Sequence, residues 1–355
     1  MTLTARRQCF LGFMTAIAIS AFSASPSHAQ LNVFQTYTGS YGVSTDGASD
    51  PALRTDQSGN GIIRAGAPSG STVVAAYLYT TTYTFGSPPD FSGVTLNGTT
   101  VNYTATFPNA TACCSLSSSR ADVTSIVAPV INGGSGGIYN FTYAEGRGSG
   151  NIDGSALVVV YSNPAIPTTT IGILNGAASV TGDTAHINFS TPLNPGDPGF
   201  VANMIIGDGF SCCGQMSNIS VNGNLMTTVA GNHDDSAQEA NGNLITVGSF
   251  FGSGDPNNDP FTVASVGSPA NNYNTDHELY DLRPFLNNGD TSITIDTFNA
   301  SQDDNIFLAV FDVTGEASIV NGQTPLPASM WLLGSALGGL GLLRRRQKRR
   351  ALVTA

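Results

Sequence analysis

Lysine is almost missing from this chain, since the only one is Lys348, close to the C-terminus. Charged residues make up 10% of the 355 residues. Between residues 30 and 324, five arginines oppose all 24 acidic residues, which gives a net charge of −19; these are Arg54, Arg64, Arg120, Arg147 and Arg283. Such a surface repels phosphate backbones and releases few counterions, so we expect no nucleic-acid binding. Lys–Asn isopeptide cross-links are excluded from this region as well.

Sequence signatures of enzymes are also scarce. Gly133–Gly137 fits the G-x-S-x-G pattern, but a nucleophile elbow needs a helix after the turn, and here a strand is predicted. His277 begins an H-E-x-x-H pattern in which Asp281 occupies the second histidine position. His186 and His233 are interpreted as surface residues. We therefore predict no enzyme, with a glycan-active enzyme as the alternative, because its carboxylates need to pair only in space.

The composition indicates a folded, exported β protein. Hydrophobic residues make up 41% of the chain, too many for a disordered polar chain, and they occur beside 41 glycines. Short β-branched or aromatic runs alternate with Gly, Asn, Pro and Asp, as in SALVVVYS and NIFLAVFDV. The longest helix-like stretch, HELYDLRPFL, contains Pro284, which limits it to a turn or two. The predicted class is all-β.

Two stretches repeat in the same order and predict an internal duplication. Residues 73–101 parallel residues 200–229, each with a hairpin turn, at Asn97-Gly98 and Asn222-Gly223. Residues 120–164 parallel residues 279–315, with Asp122 matching Asp281. We therefore predict two tandem antiparallel β-sandwiches joined near Pro164 and Pro167. Their expected bounds, with a linker after them, are 30–166, 167–319 and 320–324.

The N-terminus has the three parts of a signal peptide. Arg6 and Arg7 form a basic region, an apolar stretch covers residues 9–22, and small residues end at Ala29. This order predicts a signal peptide over residues 1–29 with cleavage between Ala29 and Gln30. The alternative, an N-terminal membrane anchor, is disfavoured because the apolar run is short for a span of about 20 residues.

The C-terminus, residues 325–350, has a Pro-containing motif, an apolar run and a basic end. The motif is Pro325-Leu326-Pro327-Ala328, and the apolar run of residues 330–343 is expected to form a short hydrophobic helix. Arginines dominate the cluster that follows: Arg344, Arg345, Arg346, Lys348, Arg349 and Arg350. Such a segment is marginal as a permanent transmembrane span, and the positive charges hold its end on the cytoplasmic side. The alternative is an ordinary C-terminal membrane anchor.

This three-part order resembles the PEP-CTERM sorting signal in its PLPA variant. The resemblance covers about 27 residues and leaves the body of the chain open. It implies recognition by an exosortase, which removes the tail near the Pro-containing motif during export in Gram-negative bacteria. It also implies a transient contact with the inner membrane, often in strains that make exopolysaccharide.

Cysteines occur as two adjacent pairs once Cys9 is lost with the signal peptide: Cys113, Cys114, Cys212 and Cys213. An even number in an exported chain favours disulfides. Bridges between the pairs would staple the two domains, while bridges within each pair, free thiols or a metal are alternatives. A zinc site is disfavoured because adjacent cysteines lack the usual C-x₂-C spacing.

Calcium is the one cofactor for which the sequence offers ligands. Oxygen-bearing side chains recur in two loops: Asp255, Asn257 and Asp259 in the first, Asp303 and Asp304 in the second. Hard cations prefer such loops, but the Gly and distal Glu of an EF-hand are missing. Solvated turns are the alternative interpretation.

These features together predict an exported, non-catalytic protein of the cell surface or extracellular matrix, structural or adhesive, associated with biofilm or exopolysaccharide. The expected partners are the secretion machinery, an exosortase and a matrix or cell-surface glycan. The alternative is a secreted carbohydrate-binding module or glycan-active enzyme.

Overall fold

The computed structural model describes ten parts of the chain: residues 30–48, 60–84, 88–109, 115–145, 151–209, 217–231, 245–248, 278–299, 301–302 and 305–322. These parts form mostly β-strands, and every strand pairing among them is antiparallel. The predicted all-β class is therefore confirmed. The strands build four sheets, numbered here in the order in which they are stacked.

The first half of the chain supplies sheets 1 and 2. Sheet 1 has the order β3-β9-β5-β6, with strands Asn60–Ala67, Gly137–Ala144, Thr95–Leu96 and Thr99–Thr100. Sheet 2 has the order β2-β10-β4-β8-β7, with strands Tyr41–Ala48, Asn151–Ser162, Thr72–Tyr83, Leu116–Asp122 and Ala105–Pro108.

The second half supplies most of sheets 3 and 4. Sheet 3 has the order β1-β11-β19-β13-β16, with β17 also beside β13; its strands are Asn32–Gly39, Thr169–Asn175, Asn305–Thr314, Ala202–Gly209, Ile245–Val247 and Leu279–Asp281. Sheet 4 has the order β15-β14-β18-β12-β20, with strands Asn224–Ala230, Ser217–Val221, Ser292–Asn299, Thr184–Phe189 and Ala317–Asn321.

Three apolar cores hold the four sheets together. The first lies between sheets 1 and 2 and includes Leu78, Phe141 and Leu157. The second lies between sheets 3 and 4 and includes Met204 and Phe311. The third lies between sheets 2 and 3; its buried residues are Val43, Ala75, Tyr77, Tyr79, Ala156, Val158, Val160, Ile171, Ile173, Ile205, Ile245, Val247, Leu279, Phe307, Leu308 and Val310. The two sandwiches are thus joined face to face.

Burial on one face or on both explains the two kinds of strand sequence. In β10, every residue from Ile152 to Tyr161 is buried, because sheet 2 is covered on both sides. Such strands become continuous apolar runs, as in strands buried on both faces of other sheets. In β9, which belongs to an outer sheet, Phe141 and Tyr143 are buried while Ile138 and Thr142 are exposed. That alternation is the pattern of a half-buried strand.

Corresponding strands occupy corresponding places in the two sandwiches. In sheet 2, β4 lies between β10 and β8. In sheet 3, β13 lies beside β19 and β17 in the same way. Asn97 and Asn222 both have positive φ, 51° and 50°, at the two hairpin turns. Asp122 and Asp281 each accept a backbone N–H bond from the residue two positions later, at 2.9 and 3.0 Å.

One short helix was not predicted. Thr124–Ile131 forms α1, with Pro129 inside it and Val127 and Ile131 buried against the first core. Its eight residues and internal proline gave too little helical periodicity to detect. The stretch HELYDLRPFL contains one 3-10 turn, Arg283–Phe285.

The first strand crosses from one sandwich to the other. β1 lies within residues 30–166, which were expected to form the first domain, but it pairs with β11 in sheet 3. The chain then enters sheet 2 through β2, beside β10. At the other end, β20 extends to Asn321, so the first residues expected in the linker belong to sheet 4.

Aromatic side chains of β1 fasten this crossing. Phe34 sits at a bulge in the pairing with β11, a place where a side chain is often redirected. Its ring meets Tyr77 of sheet 2 edge to face at 5.0 Å, and the guanidinium of Arg120 lies 3.5 Å from its centroid. Tyr37 and Tyr77 share a hydroxyl hydrogen bond of 2.9 Å. These contacts tie sheet 3 to sheet 2 at the edge of the third core.

Phe34→Ala removes the ring that lies against Tyr77 and Arg120. We expect the free energy of unfolding to fall by about 2–3 kcal/mol, since a partly buried ring and its cation–π contact are both lost. Denaturant unfolding at neutral pH measures the change. The matched control is Phe298→Ala, whose ring is 48% exposed and which should change the value by less than about 0.5 kcal/mol. Equal effects of the two substitutions would show that β1 is not fastened in this way.

Candidate ligand pocket between the two sandwiches

Nearly all the site residues predicted from sequence lie outside the described residues. This holds for the cysteine pairs, the calcium candidates, the sorting motif with its arginines, and Ala29; Gln30 alone is described. No cysteine occurs in the described parts of the chain, and they contain no group of three or more His, Cys, Asp or Glu residues that could hold a metal ion. Within those parts, no helix is both long and apolar enough to cross a membrane.

The remaining motifs have structural surroundings. Gly133–Gly137 forms the turn between α1 and β9, so a strand follows it, as expected. Glu278 is buried and accepts hydrogen bonds from the Gly231 N–H at 2.7 Å and the Tyr280 hydroxyl at 2.8 Å. His186 lies on β12 with Nδ1 3.1 Å from the Thr294 hydroxyl. His233 and His277 lie outside the described residues.

A partly enclosed cavity of about 320 Å³ lies between sheets 2 and 3. Its floor is sheet 3, where Asp312 of β19 pairs directly with Asn203 of β13. Alternation along each strand turns these residues, with Ile205 and Val310, toward sheet 2. An amide and a carboxylate therefore stand side by side at the end of the third apolar core.

Tyrosines from sheet 2 and the inter-sandwich connection complete the walls. Tyr41 begins β2, Tyr161 lies near the end of β10, and Ile166 and Pro167 belong to the connection between β10 and β11. Gly42 is needed at the wall, because a Cβ there would lie 2.7 Å from ring carbons and the hydroxyl of Tyr161. The missing side chain leaves room for the Tyr161 ring, and Tyr161 belongs both to the first core and to the lining of the cavity.

Asp312 is the charged residue among the described residues that line the cavity. Its Oδ1 atom is buried and has no hydrogen-bond partner among the described residues. Burial raises the pKa of this carboxyl to about 6, because the charged form loses hydration. Burial, and then the nearby charge of Asp312, raise the pKa of Tyr161 as well. The carboxylate is therefore a strong acceptor with unused capacity.

The paired residues across sheet 2 that correspond to this part of sheet 3 have no carboxyl group at the position of Asp312. In sheet 3 the row across the strands is Ile171, Asp312 and Asn203, followed by Asp281. In sheet 2 it is Thr45, Val158 and Tyr77, followed by Asp122. Valine thus fills in one sandwich the place that aspartate fills in the other. The same architecture forms with an apolar residue there, so folding does not require the carboxyl of Asp312.

This pocket was not predicted from the sequence. One signal was present, since Asp312 interrupts the apolar run of NIFLAVFDV near its end. Tyr41, Tyr161 and Asn203 come from different strands, and their proximity depends on how sheets 2 and 3 pack. The periodicity of a single segment does not indicate how two sheets pack against each other.

A second buried carboxyl, Asp153, lies at a bulge of β10. It is fully buried, and burial raises its pKa well above its usual range. It borders residues 146–150, which are outside the described parts. Asp312, a partly buried residue whose Oδ1 atom is fully buried, is therefore the carboxyl whose surroundings define a pocket.

Comparison with known proteins gave no match to a family model, to a curated protein or to a solved structure. The likeness of the C-terminal tail to the PEP-CTERM signal consequently depends on its own residues.

Asp312→Asn should stabilise the protein at neutral pH and less so in acid. With a folded pKa of about 6 and an ordinary value of 3.8, the protonated form is favoured in the native state. Stability from this group is present below pH 3.8 and is lost as the pH rises through 6. We expect the variant to gain about 1–3 kcal/mol at pH 8 relative to wild type, and almost nothing near pH 4.

Urea unfolding between pH 4 and pH 8 measures this difference. The control is Glu316→Gln, which removes an exposed carboxylate and should change the free energy of unfolding by less than about 0.5 kcal/mol throughout. A pH-independent difference between Asp312→Asn and wild type would contradict the raised pKa.

Proposed function

We propose that this chain is an exported, non-catalytic protein of the cell surface or extracellular matrix. A signal peptide directs its export, and an exosortase cuts its C-terminal tail after a transient stay at the inner membrane. Its proposed partner in the matrix is exopolysaccharide or a cell-surface glycan. The strongly acidic body, with a net charge of −19 over residues 30–324, is unsuited to nucleic acid.

The contact between Asn321 and the residues at the start of β1 is the observation that supports the proposal most. Asn321 donates from Nδ2 to the Leu31 carbonyl at 2.9 Å, and its Oδ1 accepts the Val33 N–H at 3.0 Å. Two residues lie between the predicted cleavage site after Ala29 and β1, and three lie between β20 and Pro325. Both proposed processing points therefore adjoin one corner of the second sandwich.

This corner lies at the end of sheet 3 opposite the pocket. Asn32, which begins β1, pairs with Asn175, whereas Gly39, which ends it, pairs with Thr169 beside the pocket. The first and last of the eight residues of β1 are about 23 Å apart. A tail held at the membrane would leave the pocket facing away from it. This orientation suits a protein that binds matrix material.

A bridge between the cysteine pairs is proposed as a staple across the third core. Ser115, just after Cys114, accepts a hydrogen bond at its carbonyl from Thr84 Oγ1 at 3.3 Å. Gly209, three residues before Cys212, lies against Thr81, whose Oγ1 is 2.5 Å from the position of a Cβ on that glycine. Ser115, which precedes β8 of sheet 2, and Gly209, which ends β13 of sheet 3, thus both lie beside the end of β4.

Non-reducing peptide mapping of the mature protein tests the staple. We expect links between residues 113–114 and residues 212–213, and reduction should lower the free energy of unfolding by about 3–5 kcal/mol. Finding only links within each pair, 113 to 114 and 212 to 213, would contradict the bridge between sandwiches. Protein reduced before unfolding and alkylated afterwards is the control for thiol exchange during digestion.

We also infer that the two sandwiches arose by duplication of one unit. The shared strand order, the two Asn-Gly turns and the matching Asp122 and Asp281 support this inference. The polar pair of Asp312 and Asn203 then marks a place where the second copy differs from the first.

Mass spectrometry of cell fractions tests the export route. We expect the extracellular protein to begin at Gln30 and to lack peptides beyond the motif at Pro325–Ala328. In a strain without exosortase, or with Pro325 and Pro327 replaced by alanine, the full tail should be retained with the membranes. Deletion of residues 351–355 is the control and should leave processing unchanged. Recovery of protein from the cytosol with both ends uncut would overturn the proposal.

A further inference from the structure

We propose that the cavity between sheets 2 and 3 binds a neutral sugar ring, with Asp312 and Asn203 bonding adjacent hydroxyls. This deepens the proposed function, since it names the ligand class of a matrix protein. Binding by the purified protein does not depend on export, so the two proposals can fail separately.

The polar groups of the floor match a pair of sugar hydroxyls. A carboxylate only accepts hydrogen bonds, whereas an amide both donates and accepts, and a hydroxyl can do either. Asp312 and Asn203 are directly opposite on neighbouring strands, a spacing of about 5 Å between Cβ atoms. Two neighbouring hydroxyls can therefore meet the carboxylate and the amide at once. The buried Oδ1 of Asp312 would gain the partner that the described residues do not supply.

The charge of the cavity restricts the ligand further. None of the described residues lining it is basic, so a phosphate, sulfate or carboxylate would meet Asp312 without compensation. Arg283 is engaged by Asp281, with three contacts between 2.6 and 3.0 Å. A charged sugar acid is thereby disfavoured relative to a neutral ring.

The walls of the cavity contain aromatic rings, against which a sugar ring can pack. Tyr41 and Tyr161 line the side formed by sheet 2, and Val43 and Leu279 extend the apolar surface inward. Tyrosine combines apolar ring area with a hydroxyl that can bond a ligand, which suits the C–H groups and oxygens of a sugar. A simple ammonium ion would use Asp312 and a ring but would leave Asn203 without a role.

The cavity is small and built on paired strands. Ligand pockets usually measure about 300–1,000 Å³, so about 320 Å³ admits a monosaccharide or the terminal ring of a longer glycan. Asp312 and Asn203 are held by the ladders of β19 and β13, which need no rearrangement to present their side chains.

The test is a titration of the purified mature protein with four neutral probes: methyl α-D-glucopyranoside, methyl α-D-mannopyranoside, methyl β-D-galactopyranoside and N-acetylglucosamine. Calorimetry and saturation-transfer NMR measure binding. We expect at least one probe to bind with a Kd in the millimolar range or below. Asp312→Asn should weaken that binding by about ten- to a hundred-fold, because a charge-assisted hydrogen bond is lost.

Asp312→Val distinguishes a ligand contact from a structural role. This variant copies Val158 of the other sandwich, so it should remain folded and at least as stable as wild type while losing detectable binding. Glu316→Gln removes an exposed acid elsewhere and should bind as wild type does. Unchanged affinity in Asp312→Val would overturn the assignment of the site. Binding of tetramethylammonium without any of the sugars, or no binding at all, would overturn the ligand class.

Discussion

The apolar interface between sheets 2 and 3 is the constraint on which the rest of this structure depends. Each sheet already covers an outer sheet with one face, and the third core covers the other face. Burying one Val, Leu, Ile or Phe side chain contributes about 1.5–3 kcal/mol, and this interface buries many of them. The sheets approach closely enough that Gly209 has no room for a side chain beside Thr81. Two sandwiches thereby become one four-layered body.

The crossing of β1 follows from that interface. A strand that pairs in sheet 3 and leads directly into sheet 2 can join the sheets at one edge, and Phe34 and Tyr37 fill the seam between them. Its start lies beside Asn321, whereas its end reaches the pocket. The start of β1, beside Asn321, and the pocket therefore lie at opposite ends of the same strands.

The pocket lies where the third core stops. At this edge the apolar packing gives way to Asp312, Asn203 and two tyrosines, and the partly buried carboxyl of Asp312 opposes folding at neutral pH. A group that costs stability and that the other sandwich replaces with valine is better explained by recognition than by architecture. The same reasoning separates Asp312 from Glu278, whose buried carboxylate is fully used by a backbone N–H and a hydroxyl.

Several features could be predicted because they depend on neighbouring residues. The all-β class, the two Asn-Gly turns and the matching order of strands in the two halves follow from local patterns in the sequence. The helix α1 was missed because eight residues with an internal proline carry little periodic signal. The placement of β1 was not predicted either, since a strand's sequence does not state which partner it will join.

The sequence by itself determined that this chain makes short antiparallel strands, that its body is strongly acidic and that its two ends have the composition of export signals. Strand alternation, turn geometry and net charge are local or additive properties, so one sequence suffices to read them. Only the tertiary structure decided that the sandwiches share a core, that Leu31 lies beside Asn321, and that Asp312, Asn203, Tyr41 and Tyr161 surround one cavity. Those residues are far apart in the chain, and the packing of two sheets brings them together.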